Sequence, residues 1–263
     1  MMTDGFLRDI PKIQLHCHLE GTLRASTFLD LARRHEVALT YRPKGGAEVL
    51  PAANLDAVNP DDLYRFADFR DFLMTFAAVS RSLGEPADYG RLAAEYVEDA
   101  LAQNVAYAEV FISPSVWQFF HPSIDVRACV REMRDAFEAV RDQLEVALIA
   151  DVTRHFGAES AMQTAQLAAD LRELGVIGIG LGGDEARFPA ELFEDVFAFA
   201  RAQGLHVVAH AGEAAGAQSV RAAVEVLGAE RVGHGIRALE DRQVVALLAQ
   251  RRIALEVCPT SNL

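Results

Sequence analysis

The sequence predicts an α/β fold: a parallel (β/α)8 TIM-type barrel, about seven of whose strands are visible, with a helical insertion after the first strand. Three observations lead there. Short apolar runs alternate with longer amphipathic stretches along nearly the whole chain. The runs have the length of buried parallel strands and are too short for helices. Histidines gather where those runs end.

The seven runs are 13–18, 106–112, 146–152, 176–181, 206–209, 231–233 and 253–257. Strict alternation of strand and helix implies a parallel sheet with right-handed crossovers. A doubly wound sheet would also alternate, but seven or more units suit a barrel better. Between the runs, 89–102 carries Leu92, Tyr96, Val97 and Leu101 at helical spacing, and 160–174 carries Leu167, Leu171 and Leu174. Ser160 is the expected N-cap of the second stretch and Gly175 its stop. The stretch 217–227 ends at Gly228, and 241–251 follows the sixth strand. More than 80 residues separate the first run from the second. They include Pro43, Gly45, Gly46, Pro51 and Pro60, then helical text over 63–83, and are expected to form an insertion over one end of a single barrel domain spanning 1–263.

Composition narrows the function. The chain has 263 residues, 51% hydrophobic and 24% charged, as in an ordinary globular protein. Its formal net charge of −13 argues against binding a nucleic-acid backbone, which needs clustered Lys and Arg. Cys17, Cys129 and Cys258 are odd in number, far apart and without a CxxC pair, which suggests a reducing compartment and no disulfide framework. No signal-peptide core or membrane-length apolar run is seen, so a cytoplasmic location is expected, with no membrane partner.

His16 and His18 stand two apart at the end of the first strand, so their side chains share one side. His210 directly follows the fifth strand, and His234 follows the sixth. In a parallel barrel that end is where active sites are built. His16, His18 and His210 could hold one divalent metal and leave room for a water, whose pKa the metal lowers toward ~7. Glu213, three residues after His210, is placed for proton transfer. A lone barrel histidine is more often a packed, hydrogen-bonded residue, and His35, His121 and His206 are expected to be that. His155, at a third-strand end, is intermediate. Gly182-Gly183-Asp184-Glu185 lacks phosphate-loop spacing and suggests a close backbone approach to a ligand. Cys17 points away from the two flanking histidines and is given a packing role.

These residues fall in recognisable motifs. Pro11-Lys12-Ile13-Gln14-Leu15-His16-Cys17-His18-Leu19-Glu20-Gly21 resembles the opening motif of the adenosine deaminase family. Thr153-Arg154-His155, Gly183-Asp184-Glu185, His210-Ala211-Gly212-Glu213, Arg231-Val232-Gly233-His234-Gly235 and Glu256-Val257-Cys258-Pro259-Thr260-Ser261-Asn262 resemble its later motifs, in the same order. The resemblance implies hydrolytic removal of the amino group from C6 of a small-molecule purine. Adenosine stands first as substrate, with adenine and 6-aminodeoxyfutalosine as rivals. It also implies that His16, His18 and His210 hold zinc, and that Glu213 protonates the ring nitrogen beside the attacked carbon. His234 would orient the attacking hydroxide, Gly183 would offer its backbone amide to the purine, and Glu20 would contact the sugar or purine side.

Three departures from the family pattern matter. Glu20 stands where nucleoside-type members usually have Asp, and Phe111-Ile112-Ser113-Pro114 differs from the common Arg-containing version. No residue matches the paired aspartates that follow the family's eighth strand, so the barrel is expected to be C-terminally incomplete, with two unpaired edges. That last departure motivates a second reading, a metal- or purine-binding protein without turnover. A third reading, another barrel hydrolase with a bridging lysine after the fourth strand, is opposed by Leu181-Gly182-Gly183-Asp184, which has no lysine. The oligomeric state has no sequence signature.

Overall fold

The computed structural model describes residues 4–41, 48–66 and 69–262; Pro43, Gly45 and Gly46 lie outside them. The backbone contacts cluster in two compact units, one of Ile13–Cys17, Tyr107–Ser115 and Val146–Leu263, the other of Met1–Lys12, His18–Ala106 and Val116–Glu145.

The strands are β1 (Lys12–His18), β2 (Leu39–Tyr41), β3 (Glu48–Leu50), β4 (Val105–Ile112), β5 (Glu145–Thr153), β6 (Val176–Gly182), β7 (His206–Ala211), β8 (Arg231–His234) and β9 (Ala254–Glu256). Seven of them form one sheet in the order β1-β4-β5-β6-β7-β8-β9, a nearly closed barrel with β1 and β9 at the two ends of that order. Each predicted run thus becomes a strand. β5 is buried from Val146 to Thr153, as expected of a parallel strand covered on both faces. Phe111, Ile149 and Val208 form a core cluster with Ile177 packed against it.

Register places the functional positions. His210 pairs with Gly233, and Ala211 with His234. Gly233 in turn pairs with Glu256. His210, Gly233 and Glu256 therefore form one row across three neighbouring strands.

The helices are α1 (Asp4–Asp9), α2 (Ala25–Arg34), α3 (Phe69–Ser82), α4 (Pro86–Ala102), α5 (Pro114–Phe120), α6 (Val126–Glu138), α7 (Gly157–Asp170), α8 (Glu194–Ala202), α9 (Ala217–Glu225) and α10 (Arg242–Arg251). One predicted boundary differs. A 3₁₀ turn, Arg154–Phe156, runs straight into α7, so the helix starts at Gly157 with no side-chain cap. Ser160 lies inside that helix, where its carbonyl accepts from the Thr164 hydroxyl at 3.0 Å. Gly175 does end the following turn, in the left-handed region. Asp241 caps α10 by accepting from the Gln243 amide at 2.8 Å.

The described residues between β1 and β4 include α2, the antiparallel pair β2–β3, 3₁₀ turns, α3 and α4. Within this unit Arg91 joins α4 to α2, bonding Asp30 and, at 3.2 Å, Glu95. All three cysteines are free thiols. No helix among the described residues is long and apolar enough to cross a membrane.

Candidate metal centre and active site

Three buried or half-buried imidazoles meet at the ends of β1, β7 and β8. The ring centroids of His16 lie 4.6 Å from His210 and 4.9 Å from His234, and those of His210 and His234 are 5.4 Å apart. His18 closes β1, and the ligand atoms of His16, His18 and His210 all lie within 4.8 Å of one another. An overlapping group of His16, His234 and Cys258 meets the same spacing.

A chain of paired charges sets the His16 ring. Nδ1 of His16 lies 2.8 Å from the Glu256 carboxylate. The other Glu256 oxygen accepts from Arg231 Nε at 2.7 Å. Arg231 also donates to Glu109, whose carboxylate accepts from the Tyr107 hydroxyl. Charges this buried persist only when paired. The backbone leaves room for the ring: a Cβ at Gly233 would stand 2.8 Å from His16 Cε1.

Glu213 is partly exposed, and its Oε2 lies 3.5 Å from His234 Nε2. His234 ends β8 with φ at +62°, a left-handed conformation rare outside glycine. Its Nδ1 faces the Asn262 side-chain amide at 3.0 Å. Burial pushes its imidazole below the usual histidine range; the Glu213 carboxylate opposes that shift and His16 adds to it.

Gly183 follows β6 with φ at +98°, and a Cβ there would lie 3.1 Å from His155 Nδ1. The positive φ favours glycine, and the tight approach would push the His155 ring aside by a few tenths of an ångström if a side chain were added. His155 is thus a neighbour of Gly183, and burial pushes its imidazole down as well. Glu20 is fully buried in the 3₁₀ turn Leu19–Thr22, where one carboxylate oxygen accepts from Trp117 Nε1 at 2.7 Å. Trp117 packs against Tyr89, ring centroids 4.4 Å apart.

The structure therefore brings together His16, His18, His210, His234 and Glu213. Sequence reasoning gave no role to Glu256, Arg231, Arg154 and Glu185, although each lies in a quoted motif. A signal existed. Glu109, Asp151 and Arg231 stand inside runs read as buried strands, and a charge in such a run must find a partner. Asp151 also constrains its neighbours: β6 carries Gly180 and Gly182 where any Cβ would stand 2.5 Å from its carboxylate oxygens.

A family model described as adenosine deaminase matches residues 11–263. The adenine deaminase of Cupriavidus taiwanensis is 37% identical, with 97% of this chain and 69% of that protein covered. The adenine deaminase of Ectopseudomonas mendocina is 35% identical, covering 98% and 78% respectively. Among solved structures, adenine deaminase from Arthrobacter aurescens superposes with a TM-score of 0.82 at 30% identity, over 96% of this chain and 73% of that one. An amidohydrolase from Burkhoderia ambifaria with bound Zn gives a TM-score of 0.85 at 29% identity, over 100% and 70%.

Proposed function

The chain belongs to the adenosine deaminase family, and from that premise we propose that it hydrolyses the 6-amino group from a purine, with adenine as the first substrate to test. The observation that carries this reading is the convergence of the His16, His18 and His210 ligand atoms beside the Glu213–His234 pair. Adenosine stood first in the sequence reading. The relatives carry adenine deaminase as their name, so the adenine alternative fits them better.

In this proposal His16, His18 and His210 hold one divalent ion. Three imidazole donors suit zinc, and a solved structural neighbour carries it. Glu256 supports the fit by accepting the Nδ1 proton of His16, which fixes the tautomer with Nε2 as ligand. A bound ion would supply Lewis-acid activation of water. Glu213 donates its proton to the ring nitrogen beside C6, which lets electron density leave the attacked carbon. His234, driven toward its neutral form by burial, orients the water through Nε2, the atom nearest Glu213. Gly183, through its amide, and Glu20 are the proposed purine contacts.

The test is ultraviolet absorbance of zinc-supplemented protein with adenine, adenosine and 6-aminodeoxyfutalosine in parallel. Loss of the adenine band, fastest with adenine, is expected. Glu213→Gln should lower turnover about 10³-fold while keeping its zinc, because it removes an acid and not a ligand. Silence of the unaltered protein with all three compounds sinks the proposal and leaves a metal-binding protein without turnover.

A further inference from the structure

We propose that Glu185 is a positioning residue: its carboxylate clamps the loop after β7 and so sets Glu213 relative to the histidines. The inference rests on the deaminase reading for the role of Glu213, but the clamp itself is a matter of geometry. One Glu185 oxygen accepts from the Gly212 amide at 2.6 Å. The other accepts from the amides of Glu213, Ala214 and Ala215 at 3.2, 2.8 and 2.9 Å. Four consecutive backbone N–H groups thus point at one buried carboxylate. Such a concave set of amides is an anion site, and here the protein fills it with its own side chain.

The loop is held from its other side too. Arg154 has no exposed surface and donates to the backbone carbonyl of His210 at 2.7 Å and to that of Phe188 at 2.6 Å. Burial pushes its guanidinium below the ordinary arginine range, and the charge of Glu185 opposes that most strongly. Arg154 therefore fixes the carbonyl of the ligand residue, and Glu185 fixes the four amides from Gly212 onward. The acid at 213 hangs from a backbone anchored at both ends, three residues from a metal ligand. Glu185 touches no reacting atom in this scheme. Hydrogen bonds to an ionised acceptor are the strong kind, which suits a loop that must hold one geometry through turnover.

The experiment compares the zinc-loaded protein with Glu185→Gln and Glu185→Asp, reading kcat and KM, zinc content, and amide hydrogen exchange in 212–215. In the Gln variant the amide NH2 must face one set of donors. The loop amides should then exchange about tenfold faster or more, with zinc content unchanged. kcat should fall about 100-fold while KM stays within about threefold, since a displaced acid impairs the chemical step more than binding. Asp keeps the charge but falls short by one methylene, so it should recover part of kcat. If Gln prevents folding, Asp carries the same test, with a smaller fall in kcat and faster exchange confined to the loop. Unchanged exchange, unchanged kcat, or loss of kcat only together with zinc overturns the proposal. Should the unaltered protein deaminate nothing, the functional reading fails on its own, and the exchange rates still decide whether Glu185 holds the loop.

Discussion

Two histidine–carboxylate pairs in this molecule have nearly the same geometry and opposite surroundings. In the barrel unit, His16 Nδ1 meets Glu256 at 2.8 Å. In the helical unit, His35 Nε2 meets Asp88 at 2.7 Å. Each ring is pressed by a glycine: a Cβ at Gly233 would stand 2.8 Å from His16, and one at Gly84 would stand 2.7 Å from His35. His35, Glu85 and Asp88 even meet the spacing of a metal group. Both carboxylates also hold an arginine, Arg34 at 3.2 Å on Asp88 and Arg231 at 2.7 Å on Glu256, so the difference lies in their remaining contacts. Asp88 accepts from the backbone amides of Gly84 and Glu85 at 2.9 and 3.0 Å and closes the capping box of α4. Its valences are used for folding. Glu256 is paired with Arg231, and the histidine it orients faces two more imidazoles. A pair distance alone therefore says little about function; the groups converging on the pair decide it.

The largest expected effect separates the two histidines. His16→Ala should lose zinc and turnover together, because it removes a proposed ligand. His35→Ala should keep both and lower stability by about 1–2 kcal/mol, the usual result of leaving a buried carboxylate short of one donor. Metal analysis and thermal unfolding on the two variants check this. Zinc loss in His35→Ala would break the comparison outright.

The carboxylates should separate next. In Glu256→Gln the side-chain oxygen is drawn to Arg231, so the amide NH2 turns to His16 Nδ1. That favours the tautomer with its proton on Nε2, the nitrogen assigned to the ion. Zinc affinity measured against a chelator should drop about 10–100-fold. Asp88→Ala should leave zinc affinity alone and cost about 2 kcal/mol of stability, because it strands two amides at a helix start. Equal zinc affinities in the two variants would remove the orienting role from Glu256.

The barrel unit was far more legible in the sequence than the helical one. Strand runs such as 176–181 and 231–233 reappear as Val176–Gly182 and Arg231–His234, because a buried parallel strand is an apolar run bounded by turn residues. The histidines were legible because strand ends lie at one end of a barrel. The three-residue strands Leu39–Tyr41 and Glu48–Leu50 were not, since so short a strand leaves no period to read. The start of α7 was missed because a 3₁₀ turn replaced the side-chain cap that a serine would have marked. The supports of the site were missed for another reason. His16 and Glu256 are 240 residues apart and Glu185 stands 27 before Gly212, and local patterns carry no information on such pairings. Only the general demand that buried charge be paired pointed to partners, and it could not say which.

The smallest expected effect uses the two glycines, and it asks whether each ring must stay where it is. Gly233→Ala puts a methyl 2.8 Å from His16 Cε1 and 3.2 Å from the Nδ1 that Glu256 holds, so the ring must move by some tenths of an ångström. A shift of that size at a proposed metal ligand should weaken zinc binding several-fold and lower kcat by about tenfold. Gly84→Ala crowds the His35 ring just as tightly, and Asp88 likewise holds that ring in place. There the displaced group is part of a helix cap, so the cost should be roughly 1 kcal/mol of stability with zinc affinity and kcat unchanged. Chelator competition, kcat and thermal unfolding on both variants check this. If Gly233→Ala lowered only stability, the close approach at His16 would be packing of the same kind as that at His35, and the two pairs would differ in their neighbours but not in how tightly function constrains them.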